Sequence, residues 1–365
     1  MSDAVDLEDR IARLRLIRTP TIGPITYAQL LARFGTAQLA LKAVPDLARR
    51  GGGKPPVLAT RDAIEREIAV VAALGARYLF RGEGAYPPLL AEIESAPPAI
   101  IAKGDRALTR RPAVAMVGAR NASAAAIRFA RQLAADLAAE GVIVVSGLAR
   151  GIDTAAHGGA LDGGTIAVIA GGIDVTYPPE NADLQRAIGE RGLLIAEQPP
   201  GLEPRARHFP YRNRIIAGIA RGTVVVEAAP RSGSLITARY AGEFGRDVMA
   251  VPGSPLDPRA QGCNHLIRDG AILVQSVADI LESLGPIGGG PVASPPQSYA
   301  PPPSSIDASE RERRLVAGLL GPVPVPVDEL VRLSDLPPAI VQTILLELEL
   351  AGRLERHAGG RVSLA

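Results

Sequence analysis

Hydrophobic positions follow three different patterns along the chain, and the changes between them divide it into regions. From residue 1 to about 110 the pattern is mostly helical, with Leu7, Ile11 and Leu14 at the spacing of an amphipathic helix. The segment Thr21-Ile-Gly-Pro-Ile-Thr then predicts a glycine–proline turn into a second helix. Such a turn can present backbone amides to a phosphate, although a plain helical cap is the simpler interpretation.

The pattern changes between residues 111 and 285, where short apolar runs alternate with helical segments. Continuous apolar runs of this length predict strands that are buried on both faces, as in a parallel, doubly wound α/β sheet. The runs are at residues 113–117, 142–145, 165–170, 193–196, 223–226, 248–251 and 271–274.

A polar, glycine-bearing segment follows each of the first five predicted strands. These segments are residues 118–123, 146–157, 171–174, 197–201 and 227–234. Because the carboxyl ends of parallel strands meet at one edge, and ligands of such sheets bind beyond that edge, we predict the binding site there.

The C-terminal part begins with a predicted linker at 286–305, rich in Pro, Gly and Ser. A short helix, a turn, a second helix and two strands follow, which is the order of a winged helix. The second helix carries Glu347 and Glu349 but no Lys or Arg, so it suits a protein partner better than a DNA major groove. The predicted domains are 1–85 (helical), 86–285 (sheet) and 306–365 (winged helix).

Composition narrows the choice of ligand only slightly. The formal net charge is +2 and aromatic residues make up 3%, so a nucleic-acid ligand must be argued from where the arginines lie. Cys263 is the single cysteine and the four histidines are scattered, which excludes an intrachain disulfide and predicts neither a metal site nor a cofactor. With no secretory signal and no apolar stretch long enough to span a membrane, we expect a cytoplasmic protein without membrane contact.

Arginines cluster at the end of the fifth predicted strand. Arg212, Arg214 and Arg231 surround it, and Gly233 and Ser234 open the next helix. A helix N-terminus with small residues and nearby guanidiniums can hold anionic oxygens. No nucleophile, metal cluster or acid/base pair accompanies the cluster. We therefore predict that it binds the phosphates of a nucleic acid or a nucleotide without catalysing a reaction.

Two further groups join this predicted site. Arg120, after Gly118, is placed to hold a phosphate at a helix N-terminus or to cap a neighbouring strand. A single glycine in that loop is not a dinucleotide fingerprint, and no Walker A motif is present. Phe209 and Tyr211 flank Arg212, so an aromatic ring can stack an unpaired base, although Phe209 can equally pack into the core.

Acidic residues near these segments predict support rather than chemistry. Asp153 and His157 lie four residues apart on a predicted helix and can pair to hold a loop. Glu197 and Glu227 follow strands and are predicted to order Arg214 and Arg231, with a general acid/base pair as the weaker alternative. The predicted phosphate-binding set is Gly118, Arg120, Ser146, Gly147, Phe209, Arg212, Asn213, Arg214, Arg231, Ser232, Gly233 and Ser234.

Taken in order, these segments resemble the DNA processing protein A (Smf) family, over more than half the chain. The matching motifs are Tyr86-Pro-Pro-Leu-Leu, Val117-Gly-Ala-Arg, Val145-Ser-Gly-Leu-Ala-Arg-Gly-Ile-Asp-Thr-Ala-Ala-His, Tyr177-Pro-Pro-Glu-Asn, Glu197-Gln-Pro-Pro-Gly, Phe209-Pro-Tyr-Arg-Asn-Arg-Ile-Ile-Ala-Gly, 227–238, Val251-Pro-Gly and Gly262-Cys-Asn-His-Leu-Ile.

The resemblance implies an extended Rossmann-like domain, an N-terminal helical domain of SAM or helix-hairpin-helix type, and a C-terminal winged helix. It implies a homodimer that binds single-stranded DNA without sequence preference, protects it and loads the RecA recombinase in natural transformation. By motif match, Arg120 and residues 209–214 fall on the family's DNA-binding face, and residues 232–234 line its pocket. Ala119 departs from the serine often found there, and the acidic terminal helix puts duplex binding in doubt.

Two alternatives come from other functional classes. Related Rossmann-like proteins hydrolyse nucleoside monophosphates, which would make Glu227 the acid/base and Arg231 a phosphate holder. A transcription regulator would place the winged helix on duplex DNA. Salt dependence and ligand size separate these alternatives. A strand binder should lose affinity steeply as salt rises, because several phosphates release counterions together, whereas a nucleotide hydrolase needs only one phosphate and releases free base.

Overall fold

The computed structural model describes residues 2–285, 307–357 and 359–365, and these residues form two compact units. One unit holds the residues described before position 67 together with those described after position 306. The other holds residues 67–285. The predicted linker at 286–305 lies outside the described residues.

The larger unit is built on a nine-stranded sheet of order β1-β2-β6-β5-β4-β3-β7-β8-β9. The strands from β3 to β9 pair in parallel, whereas β2 pairs antiparallel with both β1 and β6. Their bounds are β1 (Arg77–Phe80), β2 (Ala99–Gly104), β3 (Ala113–Gly118), β4 (Ile143–Ser146), β5 (Thr165–Ile169), β6 (Leu193–Ala196), β7 (Gly222–Val226), β8 (Asp247–Ala250) and β9 (Ile272–Leu273).

The doubly wound parallel sheet predicted from the apolar runs is confirmed, since those seven runs are β3 to β9. Two strands were missed. Residues 77–80 and 99–104 lie in the region interpreted as mostly helical, yet they form the antiparallel edge of the sheet. The sheet therefore begins before residue 86, inside the predicted helical domain.

Helices cover both faces of this sheet. Neighbouring residues point to opposite sides, so Val145 joins a core with Ile215 of α9, while Val144 joins a second core with Leu133 of α6. The helices of the unit are α4 (Arg61–Ala73, which continues into it), α5 (Pro88–Glu92), α6 (Ala124–Ala139), α7 (Ile152–Ala160), α8 (Ala182–Arg191), α9 (His208–Ile219), α10 (Gly233–Glu243), α11 (Gln261–Arg268) and α12 (Val277–Leu284).

The order of the strands defines a crevice. From β3 the chain moves outward through β4, β5 and β6, and then returns to form β7 on the other side of β3. At such a switch point the connections after the two central strands diverge, which leaves room for a ligand beyond their carboxyl ends. The segments predicted to bind phosphate lie at this edge.

The smaller unit combines helices from the start of the chain with a winged helix from its end. Thr36 caps α3 by accepting a hydrogen bond from the amide of Leu39, and Ser309 and Glu312 form a capping box on α13. The elements are α1 (Ser2–Arg18), α2 (Pro24–Phe34), α3 (Ala37–Arg50), α13 (Glu310–Leu319), β10 (Val325–Pro326), α14 (Val327–Ser334), α15 (Pro338–Leu350), β11 (Leu354–His357) and β12 (Arg361–Leu364). The winged helix predicted from the sequence is confirmed by the order of these elements.

Candidate nucleic-acid interface

A cavity of about 350 Å³ opens at the carboxyl edge of the sheet. It lies among the connections that follow β3, β4 and β5 and the start of α9. The residues that line it are Arg120, Asn121, Gly147, Ala149, Arg150, Ile169, Ala170, Gly171, Val175, Tyr177, Pro178, Pro204, Phe209 and Arg212. Three arginines and two aromatic rings therefore share one concave surface.

Phe209 is at the centre of this surface. The Cζ atoms of Arg120 and Arg212 lie 5.1 Å and 6.0 Å from the centroid of its ring, within the range of cation–π attraction. The ring of Tyr177 lies 5.6 Å from that of Phe209, at an interplanar angle of 56°. Phe209 is half-buried, whereas Arg120 and Tyr177 are exposed. The ring is thus held by protein on some sides and remains accessible from the cavity.

Arg212 reaches the cavity from within the protein, with only 6% of its surface exposed. Its Nη1 donates a hydrogen bond of 2.8 Å to the carbonyl of Val168, and its buried Nε has no hydrogen-bond partner among the described residues. Burial lowers its pKa to about 10, while the nearby Asp153 carboxylate acts in the opposite direction. The guanidinium is still a cation at neutral pH.

Gly147 makes room for that guanidinium. A Cβ atom at position 147 would overlap Nη1 of Arg212. The amide of Gly147 also donates a hydrogen bond of 3.1 Å to Oδ2 of Asp153, which in turn accepts one from Ala149. The loop after β4 therefore holds the guanidinium through its shape as much as through its charge.

Arg214 lies behind this surface, with only 5% of the residue exposed. Its Nη2 is 2.6 Å from Oε1 of Glu197, which confirms the predicted pairing of these two side chains. Direct contact with a phosphate, which the sequence analysis predicted for Arg214, is not supported, because this side chain is buried and, unlike the similarly buried Arg212, does not line the cavity. The pair instead fixes α9 against the end of β6.

Glu227, at the end of β7, has a different partner from the predicted one. Its Oε2 accepts hydrogen bonds from the amide and hydroxyl of Ser123, at 3.0 Å and 2.8 Å. Its Oε1 lies 3.1 Å from Nε of Arg259, so Arg259 takes the place predicted for Arg231. Arg231 is exposed and has a positive φ of 68°. The Glu227 carboxylate thus binds the N-terminus of α6, where it satisfies a backbone donor.

The start of α10 lies beside α9. Ser232 accepts a hydrogen bond from the amide of Ser234 and caps the helix, and the two hydroxyl oxygens are 2.8 Å apart. Asn213 donates to the carbonyl of Gly233 at 3.2 Å. The predicted residues 213 and 232–234 are therefore brought together, although they use part of their hydrogen-bonding capacity on one another.

Two predicted ligand contacts are corrected by the packing of β3 and β4. Ser146 is fully buried and its hydroxyl donates to the carbonyl of Met116 at 2.6 Å, so it belongs to the core. A Cβ atom on Gly118 would overlap the carbonyl of Val226, which shows that this glycine permits close packing of neighbouring strands. Neither residue presents a side-chain donor to the cavity.

Asp153 and His157 do not form the pair that their spacing predicted. His157 is fully buried, and its Nδ1 lies 2.7 Å from the hydroxyl of Thr165, which donates to the carbonyl of Val144. Burial, with a contribution from Arg212, lowers the pKa of His157 to about 3. The imidazole is therefore neutral and links α7 to two strands.

Some cavity residues were missed by the sequence analysis. Asn121, Arg150 and Tyr177 line the cavity. Arg150 and Tyr177 lie within conspicuous segments, the Gly-Leu-Ala-Arg-Gly loop and the Tyr-Pro-Pro turn. Nothing in their spacing predicts that two loops nearly thirty residues apart converge, since that follows from the packing of β4 beside β5.

Across residues 2–285, 307–357 and 359–365, the side chains of His, Cys, Asp and Glu form no group of three or more that could hold a metal ion. Within the same part of the chain, no helix combines the length and apolar character needed to cross a bilayer.

The sheet and its cavity fall within the part of the chain that matches a known protein family. The family model described as DNA recombination-mediator protein A matches residues 77–285, which contain the whole sheet and its cavity. The chain belongs to this family. Models for a DprA-like N-terminal HHH domain and a DprA winged helix domain match residues 7–70 and 300–360.

Individual relatives agree with this assignment. The chain is 50% identical over 198 residues to the DNA processing protein DprA of Streptococcus pneumoniae, covering 54% of this chain and 70% of that protein. It is 35% identical over 316 residues to protein Smf of Synechocystis, covering 76% of this chain and 77% of that protein.

Two solved structures of the family are similar in fold. The X-ray structure of DprA from Streptococcus pneumoniae superposes with a TM-score of 0.58 at 44% identity, covering 61% of this chain and 78% of that one. DNA processing protein A of Helicobacter pylori, described for its unique single-stranded DNA binding mode, gives a TM-score of 0.53 at 26% identity. The match covers 57% of this chain and 95% of that one.

Proposed function

We propose that the carboxyl edge of the sheet binds single-stranded DNA without sequence preference. The observation that carries this proposal is the ring of Phe209 with the guanidiniums of Arg120 and Arg212 beside it, at the cavity. A flat apolar ring offers a stacking surface to any base, and neighbouring guanidiniums bind the phosphates that join the bases. Contacts of this kind position a strand without reading its sequence.

The size of the cavity favours an unpaired strand over a duplex. About 350 Å³ is at the lower end of volumes for small-molecule sites, enough for one base or nucleotide unit. A base inside a duplex is paired and stacked, so entering the cavity would cost a few kcal/mol of unpairing and unstacking. A base in a single strand pays much less, and this difference gives a preference for single strands.

Binding without catalysis fits the environment of Glu227. One carboxylate oxygen accepts hydrogen bonds from Ser123, and the other lies 3.1 Å from Nε of Arg259 without a hydrogen bond. To act as the acid/base of a nucleotide hydrolase, this carboxylate would have to leave the N-terminus of α6. We therefore favour a binding role for the whole edge and propose that the chain is not an enzyme.

The relatives support the wider assignment. The Helicobacter pylori protein is described for binding single-stranded DNA, and the matching family model is named for a recombination mediator. By this relationship we extend the proposal to protecting the bound strand and loading RecA in the cytoplasm during natural transformation. A homodimer would strengthen binding, since a second subunit on one strand acts at high effective concentration.

The test is the fluorescence anisotropy of a labelled oligo-dT and of a matched duplex, each titrated with the full chain across a salt series. Wild type should bind the single strand more tightly, with the logarithm of affinity falling linearly with the logarithm of salt. Arg120→Ala should weaken binding about tenfold, roughly 1.4 kcal/mol, and reduce the salt slope by about 0.7 if one phosphate contact is lost.

A matched control is Arg239→Ala. Arg239 is exposed on α10 and its Cζ lies 5.6 Å from the ring of Tyr240, a similar arginine–aromatic contact outside the cavity lining. Equal affinity for the two DNA forms, or equal effects of the two substitutions, would overturn the proposal. Release of free base from nucleoside monophosphates, abolished by Glu227→Gln, would favour the hydrolase instead.

A further inference from the structure

The second helix of the winged helix, α15, is apolar on more than one face. In a DNA-reading winged helix this element presents polar side chains to the major groove. Here every residue from Ile344 to Leu348 is buried, and so is Leu350. A helix that is hydrophobic all round needs protein on all sides.

One face of α15 forms the core of the winged helix itself. Ile344, Leu345 and Leu348 pack in a cluster that also contains Val316 of α13 and Leu330 of α14. This face accounts for the fold of the small domain, and it leaves the opposite face to be explained.

The opposite face packs against the first helices of the chain. Leu346 and Leu350 belong to a second cluster with Leu30 of α2 and with Val44 and Leu47 of α3. All five residues are nearly or fully buried. Two segments about three hundred positions apart in sequence therefore share one hydrophobic core.

Two glycines after α3 bring the backbones unusually close. A Cβ atom on Gly51 would overlap the carbonyl of Glu347, and one on Gly53 would lie 2.6 Å from Cβ and 2.8 Å from Cα of Ala351. Only residues without a side chain permit this approach. The contact is thus fitted at the level of the backbone.

Polar contacts surround this apolar contact. Nε2 of Gln29 donates to Oε1 of Gln342 at 2.9 Å, Nη1 of Arg353 donates to the carbonyl of Gly51 at 3.0 Å, and Arg50 lies 2.6 Å from Asp307. A rim of polar contacts around an apolar centre is typical of a protein–protein interface.

The acidic residues of α15 have partners inside the unit. Glu347 is 1% exposed, and both its oxygens accept hydrogen bonds from Arg313 of α13, at 2.8 Å and 3.1 Å. Oε2 of Glu349 lies 2.7 Å from Nε of Arg356 on β11. Each carboxylate is paired with an arginine, and the two ion pairs hold α15 in place.

We propose that α15 is a protein-binding helix whose partner is the N-terminal helical domain of the same chain. The winged helix then serves to join the two ends of the chain into one body, and α15 is not a reader of duplex DNA. This inference does not depend on the proposed function of the sheet edge.

Crosslinking tests the contact in the full chain. Gln29→Cys with Gln342→Cys places two thiols where the two side chains now share a hydrogen bond, and the native Cys263 is buried. A short bismaleimide should join this pair efficiently. The control pair is Gln29→Cys with Leu333→Cys, because Leu333 is exposed on α14 of the same domain. Equal yields for the two pairs would overturn the proposal.

Separating the domains tests the consequence for DNA. Gly51→Leu, added to the first cysteine pair, should lower the crosslinking yield about tenfold, whereas Gly318→Leu should leave it unchanged because Gly318 has open space around its Cβ position. If Gly51→Leu does not fold, the two cysteine pairs still decide the contact.

The affinity for a short blunt duplex should change less than about twofold in Gly51→Leu, since a helix with buried carboxylates offers no cation to a phosphate. A rise of about tenfold, or roughly 1.4 kcal/mol, would mean that docking masks a DNA-reading helix, and would contradict a dedicated protein-binding role. Oligo-dT binding reports separately on the sheet edge, so the two proposals can fail independently.

Discussion

The space that a side chain would occupy at position 147 is filled by the guanidinium of Arg212. A Cβ atom on Gly147 would overlap Nη1, which donates to the carbonyl of Val168 at 2.8 Å. The loop after β4 and the N-terminal half of α9 thus fit together around one buried cation. This fit sets the depth of the cavity and the position of Phe209 beside it.

Gly147→Ala should therefore displace Arg212 and weaken oligo-dT binding about tenfold, roughly 1.4 kcal/mol. The melting temperature should fall as well, because losing the hydrogen bond of a buried charged donor costs about 1–3 kcal/mol. Gly158→Ala is the control: Gly158 lies on α7, where the nearest atom to an added Cβ, outside the local backbone of the helix, would be Nη2 of Arg131 at 3.9 Å. If the two variants behave alike in both measurements, the role assigned to Gly147 is wrong.

The apolar runs predicted the parallel sheet and the edge that carries the cavity, because burial on both faces leaves a direct mark on the sequence. The hydrophobic pattern of the antiparallel strands β1 and β2 is less clear in the sequence. Residues 77–80 form a short strand, and the pattern of the preceding helical region extended over it. The sequence does not show the order of the strands in the sheet either, so only the structure shows that Arg150 and Tyr177 line the same cavity.

We expect that replacing Arg214 affects the stability of the fold more directly than it affects DNA binding. Removing one partner of a buried ion pair costs about 3–5 kcal/mol, so Arg214→Ala should lower the free energy of unfolding by that order. Glu197 is partly accessible, which places the cost toward the lower end. Urea denaturation measures it, and Arg186→Ala, which breaks an exposed pair with Asp183, should change the free energy of unfolding by less than about 1 kcal/mol.

Measuring stability and oligo-dT binding together distinguishes a positioning role of Arg214 from direct contact with the strand. Arg214→Lys keeps the charge but loses the planar fork, so it should also be less stable than wild type. Should Arg214→Ala weaken oligo-dT binding with no loss of stability, the side chain contacts the strand directly, as the sequence analysis predicted.

Phe209 is expected to contribute through stacking. Phe209→Ala should cost about 1–3 kcal/mol of oligo-dT affinity, the usual range for one aromatic–base stack. Phe209→Tyr keeps the ring and should retain most of the affinity. Tyr211→Ala is the control, since Tyr211 is 59% exposed and does not line the cavity. A larger loss from Tyr211→Ala than from Phe209→Ala would place the strand outside the cavity.

Residue types predicted the location of the candidate site better than they predicted individual contacts. Arginine, phenylalanine and glycine were correctly placed at one edge, but Ser146 and Arg214 were assigned to a ligand although they serve the interior. A hydroxyl or guanidinium is equally suited to a phosphate and to a protein carbonyl or carboxylate. The choice depends on burial, which for side chains in connecting loops follows from the packing of distant segments.

His157 predicts a specific pH dependence of stability. Burial lowers its pKa in the folded protein to about 3, from 6.5 in the unfolded chain. Below about pH 6.5 the imidazole binds a proton in the unfolded chain but not in the folded protein. The free energy of unfolding should therefore fall by up to about 1.4 kcal/mol for each unit by which the pH is lowered. At higher pH both states are neutral and this contribution is constant.

His157→Gln retains a hydrogen-bonding group for Thr165 and removes the titration. Urea denaturation at about pH 7 and about pH 5 should therefore show a smaller loss for the variant than for wild type, by roughly 2 kcal/mol. Asp153, whose pKa is raised by burial, is present in both proteins, so the difference isolates His157. Parallel profiles for wild type and His157→Gln would show that the imidazole takes up its proton over the same pH range in the folded and the unfolded protein, and would contradict a link between α7 and β5 that burial keeps neutral.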